Sequence, residues 1–284
     1  MKLLLLALMV LTGLYGPQEE DPAEVVTPER IGREMCLACH EVHAQFQRSP
    51  HGLAECEDCH GPGSQHVETM DDSLSFRARP PAWVIQRCQS CHRADDQLSA
   101  FVHSPHGRND VDCTSCHEIH VERVAFDLLR TDRSTELCVE CHQATRADFR
   151  KPFHHPVLEG GMECIDCHNP HMDEGRDSML RRTVGPGNGC VDCHAEVKGP
   201  FVFEHAPVKA SDCTSCHRPH GSFNAKMLVR HQVHQLCLEC HSLSADLFAL
   251  QPPAFHDIRS PRFQNCTTCH RLIHGSNVSP AFLR

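Results

Sequence analysis

One apolar segment stands out in the pattern of hydrophobic and polar positions, and it lies at the start of the chain. Lys2 precedes a largely apolar stretch at 3–14, and an acidic group follows it. This order is typical of a secretory signal peptide, and the stretch is shorter than the roughly 20 residues that span a membrane. We predict a signal peptide at 1–20, cleaved between 16 and 23, and an exported mature chain at 21–284. An uncleaved anchor is the alternative.

Beyond this segment, apolar residues occur in short groups that alternate with a repeated motif, Cys-x-x-Cys-His. Ten copies of the motif contain all twenty cysteines of the chain. The motif is typical of c-type haem attachment, in which two thiols bind the porphyrin and the histidine is one axial ligand of the iron. The predicted attachment cysteines are Cys36, Cys39, Cys56, Cys59, Cys88, Cys91, Cys113, Cys116, Cys138, Cys141, Cys164, Cys167, Cys190, Cys193, Cys213, Cys216, Cys237, Cys240, Cys266 and Cys269. The predicted proximal ligands are His40, His60, His92, His117, His142, His168, His194, His217, His241 and His270.

Three other uses of the cysteines fit this sequence less well. Zinc ribbons pair Cys-x-x-Cys groups but need no histidine after each of them. Disulfide scaffolds are typical of short secreted chains, and iron–sulfur ferredoxins have denser cysteine runs followed by proline. We therefore predict ten covalently attached c-type haems, which agrees with export because this attachment takes place outside the cytoplasmic membrane.

The composition is poor in the residues that form a peptide core. Aromatic residues make up 5% of the chain, with one tryptophan and one tyrosine, and the mean hydropathy is −0.40. The first cysteines of successive motifs are 20 to 32 residues apart, which leaves room for one short helix and a loop per haem. We predict a mainly α fold with extensive loops, a core packed with haem, and little or no β-sheet.

The motifs repeat in pairs. Alternate first cysteines are 52, 50, 52 and 47 residues apart, which divides the mature domain into five two-haem units without a Gly/Ser-rich linker. The predicted units are about 31–80, 81–131, 132–183, 184–230 and 231–284. Longer echoes support the repeat, because the sequence at 112–117 recurs unchanged at 212–217 and that at 137–142 recurs with one change at 236–241.

Each unit also has one histidine between its motifs and one after its second motif. Iron with two protein ligands suits electron transfer, whereas iron with one ligand has an open position for a small molecule. Ten of the 25 histidines are proximal and the repeat nominates ten more, so we predict bis-histidine ligation throughout. The nominated distal ligands are His51, His66, His106, His120, His154, His171, His205, His220, His256 and His274. A histidine three residues after a motif is too close to reach the far face of the same haem, so it must serve a neighbouring one; which haem each serves stays open.

The remaining histidines are His43, His103, His155, His231 and His234. His231 and His234 align with a threonine and a serine of an earlier unit, so we do not predict them as ligands. His154 is preferred to His155 because its surroundings resemble those of His205, but this choice stays open. Methionine can replace histidine as a ligand, yet none of the eight methionines occupies a repeating position.

Segments around the motifs resemble one known family. They are Cys59-His60-Gly61-Pro62-Gly63-Ser64-x-His66, His168-Asn169-Pro170-His171 and Cys269-His270-x-x-Ile273-His274-Gly275-Ser276-Asn277. With ten motifs in one chain, they resemble the MtrA/DmsE-like decahaem c-type cytochromes, the periplasmic components of outer-membrane porin–cytochrome conduits. The resemblance implies an elongated stack of bis-histidine haems, inserted partly into a separate β-barrel porin, that carries electrons across the outer membrane.

The predicted function is electron relay without catalysis. The expected donor is a quinol-oxidising membrane cytochrome or a periplasmic carrier, and the expected acceptor is an outer-surface cytochrome or a terminal reductase. A soluble periplasmic electron shuttle is one alternative. Another is a multihaem reductase of the nitrite or hydroxylamine type with one open haem, although all ten motifs end in histidine. A haem-based filament or charge store is a third alternative.

Charge is distributed unevenly along the chain. Residues 1–180 hold 16 basic and 30 acidic side chains, and residues 181–284 hold 11 basic and 7 acidic ones, for a net charge of −10. An acidic protein whose haem propionates add further negative charge is an unsuitable partner for nucleic acid. Opposite charge in the two parts is consistent with different docking partners for each, or with uneven surface charge alone.

Overall fold

The computed structural model describes residues 27–93, 96–121, 128–171, 189–241 and 258–284. The predicted signal peptide lies outside these ranges. The α-helices of the described residues are α1 Arg33–Leu37, α2 His43–Gln47, α3 Cys56–His60, α4 Ser64–Thr69, α5 Pro81–Gln89, α6 Asp96–Ser99, α7 Pro105–Arg108, α8 Ser134–Cys141, α9 Gln143–Asp148, α10 Cys164–Cys167, α11 Cys190–Cys193, α12 Ala206–Lys209 and α13 Val233–Cys237. The 3₁₀ helices are Phe76–Ala78, Phe101–His103, Cys113–Ser115, Ala195–Val197, Cys213–Ser215, Ala225–Met227, Pro261–Phe263 and Cys266–Thr268.

The described part of the chain is mostly helix and loop. Its two strands, β1 Phe203–Glu204 and β2 Gly275–Ser276, form one small antiparallel sheet in which Phe203 lies opposite Ser276. The longest helix, α5, has nine residues. Across the ranges described, no helix has the length and apolar character needed to span a membrane. The predicted helical, loop-rich fold with little β-sheet is confirmed for these residues.

The two motifs of a unit occupy different places in the helices. The first motif begins near the end of a helix in α5, α8 and α13. The second motif starts a short helix, and in four units an acidic residue directly before its first cysteine binds the amide or side chain of the residue three positions later. These acidic residues are Glu55, Asp112, Glu163 and Asp212. Side-chain oxygens at this position satisfy N–H groups that a helix leaves without partners.

Packing brings the two motifs of a unit together. The helices that carry them are in contact in the pairs α1 with α3, α5 with Cys113–Ser115, α8 with α10, and α13 with Cys266–Thr268. The second and fourth units, whose segments 112–117 and 212–217 are identical in sequence, also have matching backbone hydrogen bonds after the second motif. The chain after the second motif folds back so that Arg130 N donates to Cys116 O at 2.9 Å, and Val229 N donates to Cys216 O at 2.9 Å.

The peptide contributes few buried apolar side chains. In the described residues the buried hydrophobic side chains are Phe46, Val84, Ile85, Phe101, Leu128, Phe149 and Val157. Seven such residues supply far too little apolar burial to offset the conformational entropy of more than 200 ordered residues. The fold therefore requires apolar material that the polypeptide does not supply.

Glu57 fixes the beginning of the described chain to the second motif. Its side chain is 3% exposed, and its carboxylate accepts hydrogen bonds from Ile31 N at 2.9 Å, Gly32 N at 3.0 Å and Gly63 N at 2.9 Å. Burial alone would raise the pKa of Glu57, but these three donors together with Arg30 outweigh it and hold the pKa below its ordinary value of 4.5.

We expect the substitution Glu57→Gln to release this attachment. A neutral amide turns one donor group toward the backbone N–H groups, so hydrogen exchange at Ile31 and Gly32 should speed up by about tenfold or more. In the unchanged protein, the contribution of the carboxylate is present above pH 4.5 and is lost as the pH falls through its lowered folded-state pKa. Glu136→Gln, at an exposed position, is the control. Equal exchange rates in both variants would contradict this role.

Candidate haem sites

The histidines of the described residues meet in nine facing pairs, each of one motif histidine and one other. The pairs are His40 with His66, His60 with His120, His92 with His51, His117 with His171, His142 with His106, His168 with His220, His194 with His155, His217 with His274, and His241 with His205. The ring centroids of all nine pairs are 5.8 to 6.2 Å apart.

This separation matches the span of an iron atom with an imidazole on each side. Two metal–nitrogen bonds of about 2.0 Å, plus roughly 1.1 Å from each ring centre to its nitrogen, place coaxial imidazole centroids about 6.2 Å apart. The paired histidines therefore fit the two axial positions of a haem iron, next to cysteines that fit its covalent attachment.

The pairs join neighbouring units. The histidine between the motifs of one unit faces the first motif of the next unit, as His51 faces His92. The histidine after a unit's second motif faces the second motif of the preceding unit, as His120 faces His60. At the start of the array, His66 faces the first motif of its own unit. The sequence predicts that trailing histidines serve neighbouring haems, and this arrangement agrees with it.

At residues 154 and 155, the histidine that is paired in the structure is not the one that the sequence favours. It is His155 whose ring faces His194, at a centroid distance of 6.2 Å. His154 instead points to Glu159, and its Nε2 lies 3.1 Å from Glu159 Oε1. The carboxylate raises the pKa of His154, after the larger effect of a hydrogen bond to the Lys151 carbonyl. The structure thus favours His155 over the predicted His154, because the ring of His155 faces His194 and that of His154 is bonded to Glu159.

Backbone carbonyls orient several of the paired rings through Nδ1. The Nδ1 atoms lie 2.7 Å from the carbonyl oxygen for His60, 2.6 Å for His66, 2.8 Å for His155 and 2.8 Å for His217; the acceptors are Leu74, Asp71, Pro219 and Lys226. A carbonyl at Nδ1 fixes the proton there and leaves the lone pair of Nε2 for a metal. Burial, and then the charge of the facing histidine, lower the pKa of His51 and His220, which keeps these rings in the neutral form that binds metal.

A repeated turn presents the histidines between motifs in the first two units. The phrase Ser-Pro-His-Gly at 49–52 and at 104–107 begins with a buried serine, and Ser104 Oγ accepts a hydrogen bond from Gly107 N at 3.1 Å. A Cβ atom on Gly107 would lie 2.4 Å from the carbonyl oxygen of Phe101, and the glycine of the first phrase is equally crowded. Glycine is therefore required for the close backbone approach that positions these rings.

Buried phenylalanines support the trailing histidines. The contacts are Phe46 with His120, Phe101 with His171 and Phe149 with His220, at ring centroid distances of 5.2 to 6.1 Å. Each phenylalanine lies five or six residues before the paired histidine that stands between the two motifs of its own unit. This spacing is visible in the sequence, but its meaning depends on the contact with a different unit, and sequence reasoning missed it.

Cysteine contacts connect consecutive motifs. Within each unit the first cysteines of the two motifs lie close enough to interact, in the pairs Cys36 with Cys56, Cys88 with Cys113, Cys138 with Cys164, Cys190 with Cys213, and Cys237 with Cys266. Between units, cysteines are near enough to interact electrostatically in the pairs Cys59 with Cys91, Cys116 with Cys141, Cys167 with Cys193, and Cys216 with Cys237. Motifs that follow one another in sequence are therefore neighbours in space.

The only tryptophan of the chain lies beside one of these sites. Trp83 is held between the guanidinium groups of Arg79 and Arg87, each 4.9 Å from its ring centroid. These residues line a cavity of about 300 Å³ together with His60 and His66. Arg79 Nε is buried and has no hydrogen-bond partner among the described residues. Two guanidinium groups beside a cavity suit the propionate carboxylates of a haem.

The tenth motif lies outside these nine pairs. His270 Nδ1 lies 2.6 Å from the carbonyl oxygen of Ala281, and the predicted ligand His256 lies outside the described residues. His234, which the sequence excludes as a ligand, donates through its backbone N–H to Gln264 O at 3.1 Å and places Nδ1 at 3.1 Å from the same oxygen.

Comparison with known proteins finds similar chains with the same type of motif. The family described as "Doubled CXXCH motif" matches residues 154–199 and 205–245, and the family described as "Cytochrome c-type protein NrfB-like" matches 56–141. Multiheme cytochrome MtrA of Shewanella baltica is 32% identical over 269 residues, which cover 87% of this chain and 79% of that protein. The chain belongs to the MtrA family of multihaem cytochromes.

Membership of the MtrA family makes the chain a c-type cytochrome with covalently bound haem and a function in electron transfer. A second relative, cytochrome c-type protein NrfB of Escherichia coli, is 29% identical over 173 residues, covering 55% of this chain and 90% of that protein. The resemblance that the sequence motifs indicate is thereby confirmed.

Proposed function

We propose that the chain holds ten bis-histidine haems and relays electrons along them from one end of the array to the other. The observation that carries this proposal is the set of nine facing histidine pairs, all at the spacing that an iron atom requires. The tenth pair is His270 with His256. This pairing is part of the proposal, and it is supported because His270 and His256 are the predicted ligands that, apart from His154, the other nine pairs leave over.

Each bound haem supplies a one-electron iron couple. The chain's own residues do the rest. Two cysteines of each motif would hold a porphyrin, and two histidines would hold its iron, so no residue would need to leave the iron when an electron is gained or lost. Carbonyl groups such as those of Leu74 and Lys226 hold the imidazole rings in one orientation. A rigid site of this kind favours fast transfer over binding of a substrate, which supports a role as an electron carrier and not an enzyme.

The cysteine contacts support a linear relay. Because the cysteine contacts of the described residues join each motif to the motif before it and the motif after it, the haems would follow one another in chain order. Electrons would then pass through all ten sites in sequence. This arrangement suits transfer over a distance longer than one protein layer.

We place this relay in the periplasm, with one part inserted in an outer-membrane β-barrel porin. The similarity to MtrA supports the assignment, as do the apolar segment at 3–14 and the opposite charge of the two parts of the sequence. The donor would be a quinol-oxidising membrane cytochrome or a periplasmic carrier. The acceptor would be an outer-surface cytochrome or a terminal reductase.

Haem counting and spin state test the proposal. We expect intact-protein mass spectrometry to show ten haem additions, and electron paramagnetic resonance of the oxidised protein to show low-spin iron only. A high-spin signal equal to one-tenth of the iron would instead favour a reductase with one open haem. Purification of the outer membrane tests the partner. We expect the cytochrome to co-purify with a β-barrel protein, whereas recovery only as a free soluble protein would favour a periplasmic shuttle.

A further inference from the structure

A hydrogen bond recurs between neighbouring haem sites. The histidine between the motifs of a unit hydrogen-bonds to the carbonyl group directly before the trailing histidine of the next unit. The instances are His106 with Pro170, His155 with Pro219 and His205 with Ile273. The distances from Nδ1 to the carbonyl oxygen are 3.3 Å for His106 and 2.8 Å for His155. This bond holds the distal ligand of one haem against the chain that carries the distal ligand of another.

His51 stands at the same place in the first unit but lacks this bond. The corresponding acceptor would be the carbonyl group of Ile119, directly before His120. Instead, Nδ1 of His51 is buried and has no hydrogen-bond partner among the residues that the structure describes. The facing geometry is otherwise the same, because the interplanar angle is 61° for His51 with His92 and 60° for His106 with His142.

The missing acceptor weakens the hold of His51 on iron in two ways. An accepted N–H proton makes an imidazole a stronger donor and fixes its orientation, and His51 has neither advantage. A buried N–H group without a partner is also unfavourable, and that penalty is relieved when the ring moves away from its buried position. Both effects act on His51, and neither acts on its equivalents His106 and His155.

We propose that the haem carried by Cys88, Cys91 and His92 is the site at which the array binds a small neutral ligand such as carbon monoxide. The bond between iron and His51 Nε2 breaks, and the carbon atom of the ligand takes that position; no electron is transferred. This inference rests on the proposed bis-histidine ligation. It assigns a binding site to the one of four equivalent middle histidines that lacks the carbonyl bond of His106, His155 and His205.

Carbon monoxide binding to the fully reduced, full-length protein tests the site. We expect one-tenth of the haem to bind the ligand in a separate phase, at least about tenfold faster than any other haem, since loss of one supporting hydrogen bond weakens metal binding by about 10- to 100-fold. In the His51→Ala variant, immediate binding of one equivalent of carbon monoxide should replace this separate phase. His106→Ala, the matched control, should add one immediate equivalent and keep the original phase.

The outcomes separate the two proposals. If the unchanged protein has no distinct phase, or if the phase persists in His51→Ala, the site is not at His51. If the unchanged protein binds one equivalent immediately and its oxidised form shows high-spin iron, bis-histidine ligation itself is incorrect. Ten haem additions in the mass spectra of both variants establish that each has folded around its cofactors.

Discussion

Without its haems, the chain should show no cooperative unfolding transition at all. The described residues contain seven buried hydrophobic side chains, and their longest helix has nine residues. Isolated helices shorter than about 12 to 15 residues are marginal in water. The ring centroids of the paired histidines are at the separation that an iron atom between them requires. The haems therefore form the core that the polypeptide lacks.

Calorimetry measures this effect directly. The holoprotein should show a large unfolding enthalpy, of the order of 0.7 kcal/mol per residue, whereas haem-free chain with its cysteines alkylated should show none. Holoprotein given the same alkylation treatment is the control, because its cysteines are already bonded to haem. A haem-free chain that melts in one sharp transition near that of the holoprotein would refute a haem-dependent core.

The second large effect is expected at the neighbouring histidines of the third unit. His155→Ala should make about one-tenth of the reduced haem bind carbon monoxide at once, because the iron opposite His194 loses its second ligand. His154→Ala should leave every iron closed, since His154 is bonded to Glu159 and faces no motif histidine. Difference spectroscopy of the two variants decides between residues that are adjacent in sequence.

A further variant identifies the haem whose iron loses a ligand in His155→Ala. In a background without the seventh haem, made by Cys190→Ala and Cys193→Ala, the change His155→Ala should add no carbon monoxide binding. If the same one-tenth of haem still reacts, His155 serves a different motif. This design tests ligation across the unit boundary apart from the choice between the two histidines.

The sequence was sufficient for the local chemistry and for the repeat. The Cys-x-x-Cys-His motif is a property of five consecutive residues, so the attachment cysteines and motif histidines need no knowledge of the fold. The low aromatic content and close motif spacing likewise predict a loop-rich helical chain, which the described residues confirm. His51 and His106 were identifiable because Ser-Pro-His-Gly recurs around them.

Other properties depend on three-dimensional contacts that the repeat does not determine. The choice of His155 over His154 depends on the direction in which the chain leaves α9, and the sequence similarity to His205 points to the other residue. The support that Phe46 gives to His120 connects residues in different units. The missing acceptor at His51 is also invisible in the sequence, because the acceptor in the other units is a backbone carbonyl group and carries no side-chain signature.

Ligation across unit boundaries also sets an order in time. As the chain emerges N-terminus first, the ligand His51 is already present when His92 appears, and the same holds for His205 when His241 appears. The second motifs of the first four units are in the opposite position, since an iron at His60 would have no second ligand until His120 has emerged. The first-motif sites of the second to fifth units would therefore have both ligands as soon as their own motif emerges, whereas the second-motif sites of the first four units would wait for a histidine of the following unit.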